Sequence, residues 1–282
     1  MTVVGASVRP LGDADRQAVA DLVAADHVGQ CVFEARLGTA ASLQPWDLGG
    51  QVWGVETAAG LRAACYAGGT LVPLGGEPAD LRVLAASMAR QRRTWSSIVG
   101  RAEAVHAFWP EVGQRWGQAR AVRADQPLLA TTTRPPVAAD PLVVRATPRD
   151  LPRYLPASLA MFSEELDLDA PDAGVDSPYR RRVAALIGSG LAFVRFDERG
   201  RVMFKAEIVA VSAHCCQIQG VWVEPARRGR GLGTAAVAAV LEAGLRLAPV
   251  VSLYVNDFNA PARRVYERLG LRQVGSFATV LF

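Results

Sequence analysis

A strand, a glycine- and arginine-rich turn and an apolar helix follow one another within residues 220–245, and this order constrains the fold more than any other feature of the chain. The turn, residues 227–233, reads RRGRGLG and leads through Thr234 into the helix. Glycines at alternate positions leave backbone N–H groups free to converge at the N-terminus of the helix, where the helix dipole is positive. Flanking arginines add charged donors. The segment therefore predicts an α/β domain with a site for a diphosphate or a similar anion; an exposed glycine-rich turn without a ligand is the alternative.

Two other nucleotide-binding motifs do not fit this turn. A dinucleotide-binding fingerprint would need glycine at position 234, which is Thr234, and its first glycine would follow the strand directly. The chain has 282 residues and a single lysine, Lys205. Its context, FKAEI, is neither that of a Walker phosphate loop nor that of a protein-kinase lysine.

Charge, cysteine content and hydropathy narrow the class of protein further. A net charge of +4 from scattered arginines favours a solvated surface over a nucleic-acid interface, which would need a basic stripe with stacking aromatics. The four cysteines lack the paired spacing of a zinc site, and His27, His106 and His214 are isolated in sequence, so we expect no metal. His214-Cys215-Cys216 is typical of a strand start; a Cys–His nucleophile pair is the less favoured interpretation. The sequence shows neither the pattern of a signal peptide nor an unbroken apolar span. We therefore expect a cytoplasmic protein with reduced thiols and no membrane partner.

The linker TTTRPPVAAD, residues 131–140, divides the chain into two segments with a similar order of elements. The second segment predicts strands and helices in the order strand 141–146, helices 149–166 and 177–188, strands 190–196, 202–211 and 214–223, helix 231–247, strand 250–255, helix 260–269 and a last strand pair from 271. The first predicts strands at 51–56, 61–67, 70–76 and 96–102 and helices at 78–91 and 103–116. This order predicts an α/β fold in which each segment forms a mixed, mostly antiparallel sheet flanked by helices.

The second segment contains the glycine turn at residues 228–233 and, after it, the segment LYVNDFNAPARRVYERLGL with Asn259 and Tyr266. In this order the two motifs resemble the GCN5-related N-acetyltransferase (GNAT) family. Residues 228–233 fit the acyl-CoA-binding pattern of that family, Gln/Arg-x-x-Gly-x-Gly/Ala. In LYVNDFNAPARRVYERLGL, Asn259 in a polar bend is followed seven residues later by Tyr266 in a short helix and then by a Leu-Gly turn, as in the family. The resemblance extends over residues 141–282 and implies an acetyl-CoA-binding GNAT domain at 136–282.

The first segment resembles the N-terminal domain of actinobacterial tandem acetyltransferase-like proteins. Its corresponding turn, TLVPLGGEPADLR, has only the pair Gly75-Gly76, without a flanking arginine or a third glycine. The resemblance therefore implies a degenerate GNAT-like domain at 1–135 that binds no cosubstrate, and a protein made of two tandem GNAT-like domains.

The resemblance also implies how acetyl-CoA is held. Backbone N–H groups of residues 229–234 would hold its pyrophosphate, and the backbone of Val221 and Val223 would pair with the pantetheine arm like an extra strand. The implied acetyl-CoA-binding residues are Val221, Val223, Arg228, Gly229, Arg230, Gly231, Leu232, Gly233, Thr234, Asn259 and Tyr266.

Catalysis is predicted less completely. Tyr266 is the candidate general acid, because a phenol with an ordinary pKa of about 10 is protonated at neutral pH and can donate to a thiolate; packing at the helix end is the alternative. The two common family positions for a glutamate base hold Gln217 and Tyr254, which leaves Glu207, paired with Lys205 on one strand face, as the nearest candidate. A Lys–Glu ion pair at the surface explains Lys205 and Glu207 as well as a catalytic role does.

Glu164 and Glu165 occupy the position where family members shape the acceptor site, although a solvated helix end explains them as well. We therefore expect an N-acetyltransferase that moves the acetyl group of acetyl-CoA directly to an amine of an unidentified acceptor, a small molecule or a peptide. The missing carboxylates at 217 and 254 keep a second hypothesis open, that of a non-catalytic acyl-CoA-binding sensor.

Overall fold

The computed structural model describes residues 6–166 and 171–282, except for the side chain of Leu166. Its strands are β1 (Ser7–Pro10), β2 (Gln51–Thr57), β3 (Gly60–Ala67), β4 (Leu71–Pro73), β5 (Ser97–Arg101), β6 (Ala121–Thr131), β7 (Val144–Arg145), β8 (Ala192–Phe196), β9 (Val202–Val211), β10 (Cys215–Val223), β11 (Val250–Tyr254) and β12 (Arg272–Leu281). Its helices are α1 (Arg16–Ala24), α2 (Cys31–Thr39), α3 (Pro45–Leu48), α4 (Pro78–Met88), α5 (Ala102–Trp116), α6 (Leu151–Leu166), α7 (Pro178–Gly188), α8 (Leu232–Leu245) and α9 (Ala260–Arg268).

Within the described residues, twelve strands form one continuous sheet. Their order is β1-β2-β3-β4-β5-β12-β6-β11-β10-β9-β8-β7. Neighbouring strands are antiparallel, except that β4 runs parallel to β5 and β10 parallel to β11. The predicted class, a mixed and mostly antiparallel sheet flanked by helices, is confirmed.

Helix α8 shows why the second half of the chain folds as it does. Its sequence, LGTAAVAAVLEAGL, is apolar on nearly all sides, and it is buried over the centre of the second half's core beside β9, β10 and β11. Small alanines let it approach the sheet closely, and at Gly244 an added Cβ would lie only 2.9 Å from Val251 Cγ2. Across the ranges 6–166 and 171–282, no helix is both long and apolar enough to cross a membrane.

The two segments are joined by an exchange of strands. β12, the end of the chain, lies between β5 and β6, so that Val280 pairs with Ile98 on one side and with Val122 on the other. β6 in turn pairs with β11 of the second segment. The domain boundary between residues 135 and 136 stays a prediction. The strands on the two sides of this boundary belong to one sheet.

Most predicted elements lie within a few residues of the observed ones, and the main differences have physical causes. The strand pair expected from residue 271 is one continuous strand, β12, because it pairs on both edges. Strand β6 was not predicted: its first half, AVRADQ, is largely exposed and polar, and only the end is a buried apolar run. Helix α2 was also missed, since it has no side-chain cap and a weak apolar stripe.

The strand exchange predicts that the segments 1–135 and 136–282 do not fold separately. Expressed alone, the segment 1–135 lacks β12, which pairs with the edge of β5. The segment 136–282 alone lacks β6, so the edge of β11 that pairs with β6 is exposed. We expect each piece alone to give a poorly dispersed NMR spectrum, and the two mixed pieces to regain the dispersion of the intact chain. A well-dispersed spectrum from either piece alone would contradict this account.

Candidate functional site

A cavity of about 880 Å³ opens where β10 and β11 separate. The two parallel strands are paired only from Cys215 to Gln217 of β10, opposite Val250 to Ser252 of β11. Beyond this point no strand of the described residues pairs with the edge of β10 that faces β11. A free strand edge in a cavity of this size can receive an extended ligand arm, since small-molecule sites measure roughly 300–1,000 Å³.

A β-bulge shapes this free edge. The register of β10 against β9 shifts between Gln219, which pairs with Glu207, and Trp222, which pairs with Lys205. Gly220 inside the bulge has φ +61°, and a Cβ there would lie 3.1 Å from Glu207 Oε2 and from Lys205 Nζ. The position therefore requires glycine, and the bulge turns the backbone at Val221 towards the cavity it lines.

The glycine turn lies at the far end of the same edge, where α8 begins. Gly229 and Gly231 have φ of +73° and +80°, and a Cβ at either would meet no atom within 4 Å. These glycines are thus required by backbone conformation and not by crowding. Within the described residues, the N–H groups from Gly229 to Gly233 have no hydrogen-bond acceptor, and pairing resumes at Thr234, whose N–H donates to the Gly231 oxygen at 3.1 Å. A row of unpaired donors at a helix N-terminus fits a pyrophosphate.

Arg228 connects this turn to α6. Its Nε donates to the Val223 oxygen at 2.9 Å, and its Nη2 lies 2.6 Å from Glu164 Oε2. Glu164 Oε1 also accepts from the indole N–H of Trp222 at 3.2 Å. Arg228 and Val223 both line the cavity, so this contact joins the cavity wall to the end of α6.

Glu165, the neighbour of Glu164, also lines the cavity but makes a different set of contacts. Its backbone oxygen accepts from the Arg123 guanidinium. Desolvation by the surrounding walls raises the pKa of its carboxyl group, which Arg123 and Lys205 counteract. Among the described residues, no ion pair engages this carboxylate.

Tyr266 is held in the cavity wall by the short helix α9. The side chain of Asn259 begins this helix, because its Oδ1 accepts from the Ala262 N–H at 3.2 Å. Tyr266 is only 6% exposed and lines the cavity. Burial, and then the charge of Glu165, raise the pKa of Tyr266 above its ordinary value. The phenol is therefore protonated at neutral pH.

Most of the sequence-predicted residues meet in this one cavity, and three do not line it. Arg230 is exposed, and Leu232 packs against the core under α8. Glu207 is 7% exposed and sits behind Gly220, where Lys205 Nζ lies 2.7 Å from its Oε1. The predicted residues that do line the cavity are Glu164, Glu165, Val221, Val223, Arg228, Gly229, Gly231, Gly233, Thr234, Asn259 and Tyr266.

The alternative of a Lys–Glu pair at the surface is wrong, because both residues are buried. Lys205 is fully buried, and Tyr154 donates a hydrogen bond of 3.2 Å to Glu207. The Lys205 ammonium also lies 5.2 Å from the centre of the Tyr154 ring. Glu207 thus stabilises a buried cation, and it is not among the residues that line the cavity.

Sequence reasoning missed the part of the cavity that the first half contributes. Arg123 and Gln126 reach it from β6, and the side-chain amide of Gln126 donates to Asn256 Oδ1 at 2.8 Å. Two-residue alternation in AVRADQ would place residue 123 on the face opposite residue 126. The register of β6 against β12 shifts between these two residues, and the sequence does not reveal that shift. Central strands are usually apolar, so the polar side chains of β6 did not predict a strand between β12 and β11.

Two of the three histidines that are isolated in sequence are close together in the fold. His27 and His214, which lie far apart in the chain, meet at Glu34. The Cys–His nucleophile interpretation is not supported, because Cys215 and Cys216 are fully buried. Burial raises the pKa of Cys216 to about 12, so its thiol stays protonated.

Two family profiles match the chain. Residues 50–154 match a domain of unknown function, DUF4081, and residues 157–271 match the acetyltransferase (GNAT) family. No curated protein matches the chain significantly.

Solved structures share the fold over nearly the full length. A Drosophila protein has a TM-score of 0.66 at 14% identity and covers 99% of each chain. A GCN5-related N-acetyltransferase from Sphaerobacter thermophilus has a TM-score of 0.62 at 18% identity, with 98% of this chain and 94% of that chain covered. A tandem GNAT protein of the clavulanic acid biosynthesis pathway has a TM-score of 0.54 at 14% identity, with 97% of this chain and 98% of that chain covered. At these identities the likeness shows a common fold.

The turn geometry predicts opposite effects for two glycine substitutions. Gly231→Ala forces a Cβ into a left-handed conformation and should lower the free energy of unfolding by about 1–2 kcal/mol. Gly38→Ala, in helix α2 without a positive φ and with no atom within 4 Å, should raise it by about 0.5–1 kcal/mol. Urea unfolding monitored by circular dichroism measures both; equal effects of the two would contradict the assigned conformation.

The buried pair predicts a strong asymmetry between single and double substitution. Lys205→Met leaves the Glu207 carboxylate buried without its cation and should cost about 3–5 kcal/mol of unfolding free energy. The double variant Lys205→Met/Glu207→Gln keeps an acceptor for Tyr154 and removes both charges, so it should recover most of that loss. Urea denaturation of both variants checks this, and a double variant no more stable than Lys205→Met would argue against the pair.

Proposed function

We propose that this chain, whose residues 157–271 match the acetyltransferase (GNAT) family, transfers the acetyl group of acetyl-CoA directly to an amine. The observation that carries the proposal is the row of unpaired N–H groups from Gly229 to Gly233 at one end of the free β10 edge. A diphosphate at one end and an extended amide-containing arm along the strand are what acetyl-CoA presents.

The chain's backbone would provide the main contacts to the cosubstrate. The N–H groups of residues 229–233 would bind the pyrophosphate, helped by the positive end of the α8 dipole, whereas the N–H group of Thr234 already donates to the Gly231 oxygen. Backbone groups at Val221 and Val223 would pair with the pantetheine arm as a further strand. The Val223 oxygen also accepts from Arg228, and its second lone pair would remain for that pairing.

The acidic side of the cavity favours a cationic acceptor. Glu165 faces the cavity without an ion-pair partner among the described residues, whereas Glu164 is engaged by Arg228. A carboxylate there attracts an ammonium group, and its raised pKa makes it a better proton acceptor than an ordinary glutamate. We therefore assign the amine-binding role to Glu165. The proton that the amine loses would pass to the Glu165 carboxylate directly or through water.

Tyr266 would complete the transfer. When the neutral amine attacks the thioester carbonyl, a C–N bond forms and the C–S bond breaks, so that a thiolate departs. The buried phenol of Tyr266, whose pKa is raised, holds the proton that this thiolate needs. In this scheme Glu207 acts behind the site by stabilising Lys205 and the bulge.

Tyr266→Phe separates this chemistry from binding. The variant should lower kcat by about 10²-fold or more with its affinity for acetyl-CoA nearly unchanged, because only the donated proton is lost. Thiol release over a panel of primary amines measures kcat, and calorimetry measures the affinity. Tyr66→Phe, which removes the hydroxyl of another buried tyrosine from its bond to the Gly49 oxygen, is the matched control and should keep full activity.

Two outcomes would contradict the proposal at different levels. Unchanged turnover in Tyr266→Phe would remove the acid role of this tyrosine. Tight acetyl-CoA binding by the wild-type chain without thiol release for any amine would replace the enzyme with an acyl-CoA-binding sensor. The absence of a carboxylate at positions 217 and 254 and the engagement of Glu207 by Lys205 are the observations that favour that second function.

A further inference from the structure

Three side chains converge on one point where the two halves of the chain touch. His27 lies in the turn before α2, Glu34 lies in the first turns of α2, and His214 lies in the hairpin between β9 and β10. His27 Nδ1 is 2.7 Å and His214 Nδ1 is 2.8 Å from the same atom, Glu34 Oε1. None of the three lines the cavity described above.

The arrangement aims two nitrogens and one carboxylate at a common centre. The imidazole rings of His27 and His214 are stacked, with centroids 3.7 Å apart and planes 21° from parallel. The Nδ1 atoms of both rings face the same oxygen, Glu34 Oε1. One potential ligand atom from each of the three residues lies within 4.8 Å of the others. In the ranges 6–166 and 171–282, no other trio of histidine, cysteine, aspartate or glutamate converges in this manner.

The surroundings support ligation by orienting the carboxylate and leaving room for entry. The Ser212 hydroxyl donates to the second oxygen, Glu34 Oε2, at 2.7 Å, as outer hydrogen bonds commonly do for metal-ligating carboxylates. The side chains of His27 and His214 are 32% and 53% exposed, and that of Glu34 is 17% exposed. A cation can thus reach the trio from solvent and keep water as a fourth ligand.

The donor set determines the class of cation. Two imidazole nitrogens and one carboxylate oxygen suit first-row divalent transition ions, and three protein ligands with one water form a common tetrahedral Zn²⁺ arrangement. Mg²⁺ and Ca²⁺ prefer oxygen ligands throughout, so they fit this trio poorly.

We propose that His27, Glu34 and His214 bind a divalent transition cation, with Zn²⁺ as the reference ion. Because His27 and Glu34 belong to the first half and His214 to the second, the bound cation links helix α2 to the β9–β10 hairpin. It adds to a contact that is already close, since the Cys31 thiol donates to the Cys215 oxygen at 3.2 Å. The site is independent of acyl transfer and stands whether or not the proposed activity does.

The test is a Zn²⁺ titration of the full chain after treatment with a chelator. Calorimetry should give one bound Zn²⁺ per chain. His214→Ala, which alters an exposed hairpin residue, and Glu34→Gln, which preserves size but weakens ligation, should each reduce the affinity at least tenfold. His106→Ala is the matched control and should bind as wild type, because this exposed histidine is not part of the trio and hydrogen-bonds to the Ala124 oxygen. Thermal unfolding should shift upwards with Zn²⁺ in wild type and His106→Ala but not in His214→Ala.

Substitution of Co²⁺ for Zn²⁺ identifies the ligands. The visible spectrum should be that of a nitrogen- and oxygen-ligated ion, without the intense near-ultraviolet bands of thiolate ligation. Three outcomes would each overturn the proposal. If the wild-type chain does not bind Zn²⁺, the trio is only a hydrogen-bonded cluster. If all four proteins bind with equal affinity, or if thiolate bands appear, the cation binds elsewhere.

Discussion

The separation of β10 from β11 after three paired residues is the constraint on which the site depends. While the strands are paired, from Cys215 to Gln217, the sheet is closed and its backbone groups are satisfied. Beyond them one edge of β10 is free, and the bulge at Gly220 directs it towards the cavity. Unpaired backbone groups in a partly buried cleft are costly, so such an edge is a natural place for a ligand that restores the hydrogen bonds. The turn at Gly229 to Gly233 continues the same unpaired backbone into the N-terminus of α8.

The first half of the chain is part of this site, although its own turn lacks the arginines. Its strand β6 lies between β12 and β11, and from there Arg123 and Gln126 reach the cavity. Arg123 also binds the backbone oxygen of Glu165 and so fixes the end of α6 beside the opening. The strand exchange therefore makes the first half a structural wall of the cavity, and we propose that it contributes no second cosubstrate site.

The sequence predicts what is local and periodic, and it misses what depends on distant partners. The strand–turn–helix unit around Gly231 was predictable because its glycines and the apolar helix that follows encode it directly. Tyr266 and Asn259 were predicted because their spacing resembles that of the family motif. The burial of Lys205 and Glu207 was not predictable, since two-residue alternation gives a shared face but not whether that face is covered. His27 and His214 could not be paired from sequence, because 187 positions separate them and only the packing of α2 on the β9–β10 hairpin brings them to Glu34.

The central claim is that backbone N–H groups of one turn hold the diphosphate of the cosubstrate. Backbone amide chemical shifts of the ¹⁵N-labelled full chain, recorded with free CoA and with pantetheine, test it most directly. The account predicts that CoA shifts the amides of residues 229–234 and of Val221 and Val223, whereas pantetheine, which has no diphosphate, shifts only the amides near Val221 and Val223. Unchanged amides at 229–234 in saturating CoA, or equal shifts there with pantetheine, would contradict it.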